Sequence, residues 1–321
     1  MSTTPDLDFA RNHEPDIRDA ADRIRPHIRR TPALTTDLDA RLVLKPECFQ
    51  VTGSFKVRGA FNAVLQLPPN TPGVVTASSG NHAQAVALAA RTAGLPALIL
   101  IPEGANPAKV AATRAFGAEV VSDGITFANR DEKLVEAQQR SGYTLVHPYD
   151  DWNVIHGQGT GALELLEDAH DLAAVACPVG GGGQISGWAL AIKATDPSVQ
   201  VIGVEPAAAD DAFRSFRTGT LQRLEGPANT IADGVKTVSI GVKNFEVLVS
   251  RGLMDDIVTV TEQEIEQALL TAWLRCKLAL EPTGALTLAA FMAGKLPAAG
   301  RIGLVLSGGN ADPALVARLL R

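Results

Sequence analysis

The sequence predicts an α/β protein in which helices pack on open, twisted, parallel sheets. Short apolar segments with strand character alternate along the chain with segments of helical periodicity, which is typical of doubly wound folds. The composition is 46% hydrophobic but only 5% aromatic, and small aliphatic residues and glycine dominate it, as expected for helices on a parallel sheet. The 321 residues are enough for one large domain or two moderate ones.

The order of these signals gives the expected elements. Strands are predicted at residues 41–45, 73–76, 97–101, 119–122, 144–146, 173–178, 199–204, 256–260 and 303–306. Helices are predicted at residues 16–28, 54–66, 81–93, 107–116, 126–141, 154–169, 184–195, 207–218, 261–280, 282–293 and 311–320. Residues 73–146 contain several β-α repeats, which indicates a compact sub-domain within the larger one.

The first chemical signal is a lysine in the segment 50–60, where Thr52-Gly53-Ser54 predicts a turn and Ser54 a helix cap. Lys56 then lies in the first helical turn, where the helix dipole mildly disfavours a positive charge. That placement favours a neutral or covalently bound amine, such as an imine-forming lysine. Taken alone, a solvated surface lysine is the alternative.

The second signal is a run of four glycines, residues 180–183, between the apolar run 175–179 and a helix-like stretch. Glycines between a strand and a helix let several backbone amides converge on one phosphate. The run lacks the Gly-Lys-Ser/Thr ending of a nucleoside triphosphate loop and the spacing of a dinucleotide loop. It therefore predicts a site for a different phosphate, with a flexible turn as the alternative.

Two further turns follow apolar segments. In residues 76–84, a Gly-containing turn opens an Ala-rich helix whose free amides suit a carboxylate. Asn81 can donate there to an aromatic hydroxylate, and Ser79 offers a hydroxyl that could carry a proton, although both are also ordinary capping residues. In residues 302–310 a strand runs into Gly308-Gly309, and Ser307 lies at its carboxyl end, where parallel sheets collect ligands.

In combination, these four elements resemble the fold type II family of pyridoxal-phosphate enzymes, in its serine/threonine dehydratase and serine racemase branch. The resemblance runs from residues 30–32 to 307–310 and includes Gly-Val-Glu-Pro at 203–206. It implies a tryptophan synthase beta-like fold, in which residues 1–70 and 148–321 form a large cofactor-binding domain and residues 71–147 an inserted smaller one. A C-terminal regulatory domain is not expected.

The resemblance also implies the cofactor, pyridoxal 5'-phosphate, and the residues that hold it. Lys56 would carry the cofactor as an imine, Phe55 and Asn81 would flank its ring, and Ser307 would face the pyridine nitrogen. The phosphate would be held by Gly180, Gly181, Gly182 and Gly183. Glu281 would lie near the ring, or else cap the helix that follows it.

The reaction implied is that of an ammonia-lyase, which converts L-threonine, L-serine or a related 3-hydroxy amino acid to a 2-oxo acid and ammonia. Lys56 would remove the Cα proton. A neutral Ser307 would suit prompt elimination. Ser79 keeps a second reaction open, because serine racemases have a serine there as the acid/base opposite the lysine. The alternative from another class is a non-catalytic nucleotide- or phosphate-binding protein.

The same resemblance suggests a cation site formed by Glu205, Ala209 and Asp211. Two carboxylates and a backbone carbonyl suit a hard ion such as Mg²⁺ or Ca²⁺. A solvated acidic loop after a strand is the alternative.

Charge and composition limit the partners. A net charge of -6 without a basic stripe argues against nucleic acid. The three cysteines, Cys48, Cys177 and Cys276, show no ligand spacing and fit a reducing compartment. No uninterrupted apolar stretch reaches the length of a membrane span, and residues 1–15 do not resemble a signal peptide. We therefore expect a cytoplasmic homodimer that acts on a small amino acid.

Overall fold

Two parallel sheets form the framework of the computed structural model, which describes residues 4–105 and 107–319. One sheet has five strands in the order β1-β9-β6-β7-β8, and the other has four in the order β4-β3-β2-β5. The strands are β1 (Leu42–Pro46), β2 (Val74–Ala77), β3 (Ala97–Leu100), β4 (Glu119–Val121), β5 (Thr144–Leu145), β6 (Leu172–Pro178), β7 (Gln200–Pro206), β8 (Asp256–Val260) and β9 (Arg301–Leu306). Each pairing between these strands is parallel.

Helices connect the strands and cover both faces of the larger sheet. They are α1 (Leu7–Ile24), α2 (Lys56–Val64), α3 (Asn81–Thr92), α4 (Pro107–Ala115), α5 (Arg130–Ser141), α6 (Trp152–Asp168), α7 (Gly183–Thr195), α8 (Asp211–Thr218), α9 (Val242–Phe245), α10 (Glu262–Thr271), α11 (Leu286–Met292) and α12 (Pro313–Leu319). Short 3₁₀ and π turns lie at residues 47–49, 233–235, 246–250, 272–276 and 282–285.

The core explains why the strands are almost continuously apolar. Leu304 and Leu306 of β9 pack into the cluster that α10 and α11 cover, whereas Val305 points into the cluster under α1, α6 and α7. A strand buried on both faces needs apolar residues at every position, not at every second one. The predicted α/β class with open parallel sheets is confirmed.

Several predicted helix bounds are wrong. The first helix begins at Leu7 and not at Asp16, because Asp6 caps it by accepting a hydrogen bond from the Phe9 amide at 3.0 Å, and Pro15 is accommodated inside the helix. The helix predicted at 261–280 ends at Thr271 and continues as a π turn up to Lys277, which adopts a left-handed conformation. The helical segment at 242–250 was not predicted, and Leu320 lies outside the described residues.

The helices after β4 and β7 also begin later than predicted, at Arg130 and Asp211, and turns precede both. The helix predicted at 282–293 opens as a 3₁₀ turn, in which Pro282 takes the first position. These segments are rich in turn-forming residues, and periodicity alone does not separate a turn from the first turn of a helix.

The chain order of the two sheets puts β2 to β5 between β1 and β6. This is the arrangement expected for an inserted smaller domain. The boundaries at residues 70/71 and 147/148 stay a prediction.

Candidate active site

Three adjacent strands of the larger sheet end at the same edge, and each is followed by one of the predicted motifs. The order β1-β9-β6 places the Lys56 turn, the Ser307 turn and the glycine run after neighbouring strands. In a parallel sheet the carboxyl ends share one edge, so the fold brings together motifs that are far apart in sequence.

Backbone hydrogen bonds join the Lys56 turn to the Ser307 turn. The Phe55 amide donates to the Ser307 carbonyl at 3.0 Å, and the Gly309 amide donates to the Gly53 carbonyl at 2.9 Å. Ser54 and Gly308 form an antiparallel bridge between them. Lys56 is therefore held against the end of β9.

Lys56 is the first residue of α2, as predicted. Its amine contacts a backbone carbonyl and an aromatic ring. Its Nζ donates to the Pro148 carbonyl at 2.8 Å and lies 5.2 Å from the centre of the Phe55 ring. Desolvation lowers the pKa of Lys56 from 10.5 to about 8. The residue as a whole is only partly buried, and its desolvated amine is a weakened base.

The predicted cap at Ser54 is wrong. Phe55 occupies the N-cap position of α2 without a side-chain hydrogen bond, and the Ser54 hydroxyl is fully buried with no partner among the described residues. The Ser307 hydroxyl, at the end of β9, is likewise buried and unpartnered within the part of the chain that the structure describes. Two free hydroxyls beside a perturbed lysine indicate a polar ligand at this position.

Tyr149 packs directly against the glycine run, with its ring next to Gly181 and its backbone next to Gly183. A Cβ atom on Gly181 would overlap the Tyr149 ring, so only glycine fits there. Gly182 has φ +92°, a left-handed conformation, and is the N-cap of α7. The run thus turns sharply into a helix N-terminus, a part of a helix where free backbone amides can bind an anion.

Tyr149 directly follows Pro148, the acceptor of the Lys56 amine, so the glycine run lies beside the lysine. Asn244 fixes this junction by donating to the carbonyls of Tyr149 at 3.1 Å and Gly181 at 2.8 Å. Lys56 and the glycine run, which are separated by more than a hundred residues in the sequence, are neighbours in space.

Asn81, at the start of α3, connects the smaller sheet to this site. Its Nδ2 donates to Glu281 Oε1 at 2.6 Å, and its Oδ1 accepts from Asn310 Nδ2 at 2.8 Å. Asn310 Nδ2 also donates to the Thr52 carbonyl at 2.8 Å. One amide hydrogen of Asn81 is left over after these contacts.

Glu281 is buried and does not cap the following turn by its side chain. Desolvation, strengthened by the nearby Asp233 carboxylate, raises the pKa of Glu281 from 4.5 to about 7. A carboxyl group with this pKa is partly protonated at neutral pH and can donate as well as accept a hydrogen bond.

Ser79 lies just before α3 and is half-buried. The N-cap of α3 is Gly80, without a side-chain cap, and the hydroxyl that receives the Gly80 amide belongs to Ser78, at 3.3 Å. The interpretation of Ser79 as a helix cap is therefore wrong, and its hydroxyl makes no hydrogen bond with the described residues.

Glu205, at the end of β7, and Asp211, the first residue of α8, are brought together behind the site. Both carboxyls are buried, and desolvation together with their proximity raises the pKa of Glu205 far above 4.5, while desolvation raises that of Asp211 to about 7. Glu205 accepts from the Phe213 amide at 2.6 Å, whereas Asp211 Oδ2 has no partner among residues 4–105 and 107–319. The solvated loop is excluded, since the pair is buried together with Ala209.

Sequence reasoning missed Tyr149, Asn244 and the bridging role of Asn310. Asn310 ends the quoted Ser-Gly-Gly-Asn motif, and Tyr149 follows the carboxyl end of β5, so both stand where ligand contacts are expected. Asn244 lies in a helical segment that was not predicted, and no pattern in the sequence marks it.

Comparison with known proteins agrees with this geometry. The family model described as pyridoxal-phosphate dependent enzyme matches residues 24–308, and the chain belongs to that family. It is an enzyme that uses pyridoxal phosphate. Within the described residues, no helix has both the length and the apolarity to cross a membrane.

Individual relatives cover nearly the whole chain. Serine racemase of Arabidopsis thaliana is 44% identical over 92% of this chain and 92% of its own length. L-threo-3-hydroxyaspartate ammonia-lyase of Saccharomyces cerevisiae is 40% identical over 95% of both chains. The crystal structure of the T.th. threonine deaminase superposes with a TM-score of 0.88 at 47% identity, covering 93% of this chain and 98% of that one.

Proposed function

We propose that this enzyme is an ammonia-lyase for 3-hydroxy amino acids, in which Lys56 moves the Cα proton. The observation that carries the proposal is the desolvated Lys56 amine, in a turn that is hydrogen-bonded to the Ser307 turn and that holds two buried, unpartnered hydroxyls with it among the described residues. The relatives include enzymes named as ammonia-lyases of L-threo-3-hydroxyaspartate, L-threonine and L-serine, which supports these three amino acids as candidate substrates.

The residues present fit pyridoxal phosphate. The cradle of Gly180 to Gly183 would receive the phosphate, and Lys56 would hold the aldehyde carbon. The buried hydroxyl of Ser307 would face the ring nitrogen, and the spare amide hydrogen of Asn81 would meet the ring hydroxyl. When bound, the cofactor supplies an electron sink for negative charge at the substrate Cα.

The remaining chemistry belongs to the side chains. With a pKa near 8, Lys56 has an appreciable neutral fraction at neutral pH and can accept the Cα proton. The ammonium so formed can then deliver a proton to the leaving β-hydroxyl, which departs as water. Neutral Ser307, unlike a carboxylate, does not favour protonation of the ring nitrogen, and we infer that it suits elimination over a long-lived carbanion.

A second candidate function, serine racemisation, is favoured by one observation. Ser79 is not the cap of α3, so its hydroxyl is free to act as an acid on the substrate. If it lies opposite Lys56, it can return a proton to the other face of Cα.

One experiment separates the two reactions. L-Serine is incubated with the enzyme, and pyruvate and D-serine are quantified by chiral chromatography for the native protein and Ser79→Ala. We expect chiefly pyruvate, with D-serine disappearing in Ser79→Ala while elimination from L-serine is retained. Ser78→Ala is the matched control, since Ser78 makes the local turn contact.

The outcomes are decisive in both directions. A native enzyme that forms mainly D-serine would overturn the lyase proposal. One that forms only pyruvate would remove the catalytic role of Ser79. Ammonia release from L-threonine, L-serine and L-threo-3-hydroxyaspartate, assayed side by side, would identify the preferred substrate.

We also propose that Glu205, Asp211 and the Ala209 carbonyl bind Mg²⁺ or Ca²⁺. The unpartnered Asp211 Oδ2 and the two raised pKa values support this, because a cation would offset the repulsion between buried carboxylates. Chelation should lower the melting temperature of the native protein but not that of Glu205→Gln. The homodimer and the cytoplasmic location stay predictions, and light scattering after size-exclusion chromatography would measure the first.

A further inference from the structure

A cluster of two histidines and an aspartate, which belong to none of the motifs described above, lies between α1 and α6. His13 and Asp16 are three residues apart on α1, so their side chains project from the same face of the helix. His156 faces them from α6. Imidazole and carboxylate groups in this combination are ligands of divalent transition metals.

The atoms are close enough to share one ion. His13 Nδ1 is 2.9 Å from His156 Nε2, and Asp16 Oδ2 is 4.0 Å from the other nitrogen of that ring, Nδ1, so His156 can bind a shared ion through only one of these two nitrogens. One potential ligand atom from each residue lies within 4.8 Å of the others. Ligand atoms of tetrahedral zinc are about 3.3 Å apart, given bond lengths near 2 Å, so small side-chain rotations suffice.

The two rings are held in place before any ion arrives. Trp152 stacks on His13 with centroids 4.6 Å apart, and Phe9 packs against the same ring at 4.7 Å. His156 is only 6% exposed. A ligand set that is already ordered loses little conformational entropy when it binds an ion.

The two histidines share a hydrogen bond, so one of the two facing nitrogens carries a proton and the other accepts it. Burial lowers the pKa of His13 below 6.5 and, together with the neighbouring His13, lowers that of His156 to about 4. A neutral ring needs only a change of tautomer, which moves its proton to the other nitrogen, to offer a lone pair to an ion. Asp16 is exposed and can rotate towards the rings, and the nearby Glu246 adds negative potential at His13.

We propose that His13, Asp16 and His156 form a binding site for a divalent transition-metal ion, with Zn²⁺ as the ion of best fit. Three protein ligands leave a fourth position for water. The ion ties α1 to α6, and α6 packs against both α2, which carries Lys56, and α7, which follows the glycine run. The site therefore stabilises the scaffold under the active site, and it differs from the oxygen-rich Glu205 site in taking nitrogen ligands.

Zinc binding to the tag-free holoenzyme tests this proposal. We expect the native protein to retain one equivalent of Zn²⁺ after dialysis, measured by atomic absorption, and calorimetric titration with Zn²⁺ alone to give the affinity. His13→Gln and Asp16→Asn should weaken that affinity at least tenfold. Zn²⁺ should raise the melting temperature of the native protein more than that of His13→Gln or Asp16→Asn.

Matched variants separate this site from others. His170→Gln and Asp19→Asn remove an exposed histidine and an exposed aspartate of α1 and should bind Zn²⁺ as the native protein does. Glu205→Gln should do so too. Ni²⁺ should quench the fluorescence of Trp152, and Trp152→Phe should lack that quenching.

Two results would overturn the proposal. One is a native protein that retains no zinc and shows no change in melting temperature. The other is His13→Gln and Asp16→Asn proteins, folded by circular dichroism, that bind Zn²⁺ with the native affinity.

Discussion

Lys56 and Arg58 are two cations on the first turn of α2, and their surroundings differ completely. Residues two apart on a helix point in nearly opposite directions, so the two side chains enter different regions. Arg58 donates to Glu47 at 2.8 and 2.9 Å and to Glu164 at 2.8 and 2.7 Å, so every part of its guanidinium is matched. Lys56 finds no carboxylate partner in the described residues, only the carbonyl of Pro148.

The Arg58 region is a closed network. Lys45 donates to Glu164 at 2.7 Å and to the Thr31 carbonyl, and the Thr31 hydroxyl donates to Glu47 at 2.7 Å. These contacts join β1, the turn at 47–49, α2 and α6. Fully satisfied buried charges fix one arrangement of the scaffold.

The Lys56 region is left open. The hydroxyls of Thr52, Ser54 and Ser307 and one oxygen of Glu281 lack partners among the described residues, although all four side chains are buried. The same turn of helix is therefore fixed on one side by paired charges, whereas unpaired groups on its other side are available to a ligand.

The largest effect should follow Lys56→Ala. Loss of the base and of the covalent attachment should reduce ammonia release from L-serine or L-threonine by at least about 10⁴-fold. Borohydride reduction and peptide mapping of the native enzyme should place the pyridoxyl group on Lys56. Lys133→Ala, on an exposed face of α5, should keep native activity. A label on another lysine would contradict the assignment.

Arg58→Met should destabilise the protein by about 3–5 kcal/mol, because it leaves the buried Glu47 without its partner. Denaturant unfolding measures the change. Arg11→Met removes an exposed pair with Asp8 and should cost less than about 1 kcal/mol. If the free energy of unfolding fell equally in Arg58→Met and Arg11→Met, the buried network would contribute no more to stability than an exposed ion pair.

Glu281 should make the cofactor-free protein less stable as pH rises. Its pKa is raised from 4.5 to about 7, so the folded state keeps a proton that the unfolded state has released between these values. The free energy of unfolding should therefore fall by about 3 kcal/mol between pH 4.5 and 7.

Glu281→Gln keeps an acceptor for Asn81 and should lose that part of the pH dependence. Urea unfolding at several pH values gives the difference in free energy of unfolding between the native protein and Glu281→Gln. The contributions of the other titratable groups cancel in this difference. If the free energy of unfolding of the native protein and of Glu281→Gln changed with pH in the same way, the pKa of Glu281 would not be raised by folding.

The smallest effect on stability should come from Ser307→Ala. Its hydroxyl has no partner among the described residues, so its loss should change the free energy of unfolding by less than about 1 kcal/mol while altering the absorbance spectrum of the bound cofactor. Thr160→Val is the contrasting variant. Its hydroxyl contacts Arg58 at 3.1 Å and donates to the Gly157 carbonyl, so the loss should cost about 1–2 kcal/mol. An unchanged spectrum in Ser307→Ala would place Ser307 outside the cofactor site.

Much of this enzyme could be predicted from its sequence. Continuous apolar runs and helical periodicity are local properties, and they located the nine strands and the alternation of the fold. Lys56 in the first turn of its helix and the glycine run before α7 were found in the same way, since both depend on residues adjacent in the chain.

Other features depended on residues distant in sequence. Several contacts join segments that are far apart in the sequence: Asn81 with Glu281, Tyr149 with Gly181, and His13 with His156. The absence of a carboxylate partner for Lys56 among the described residues likewise depends on how distant segments pack. Ser54 and Ser79 look like helix caps in the sequence and are not caps in the structure. A side chain's chemistry is set by its own residue type, whereas its partner, burial and pKa are set by how the sheets and helices pack, and only the tertiary structure decides those.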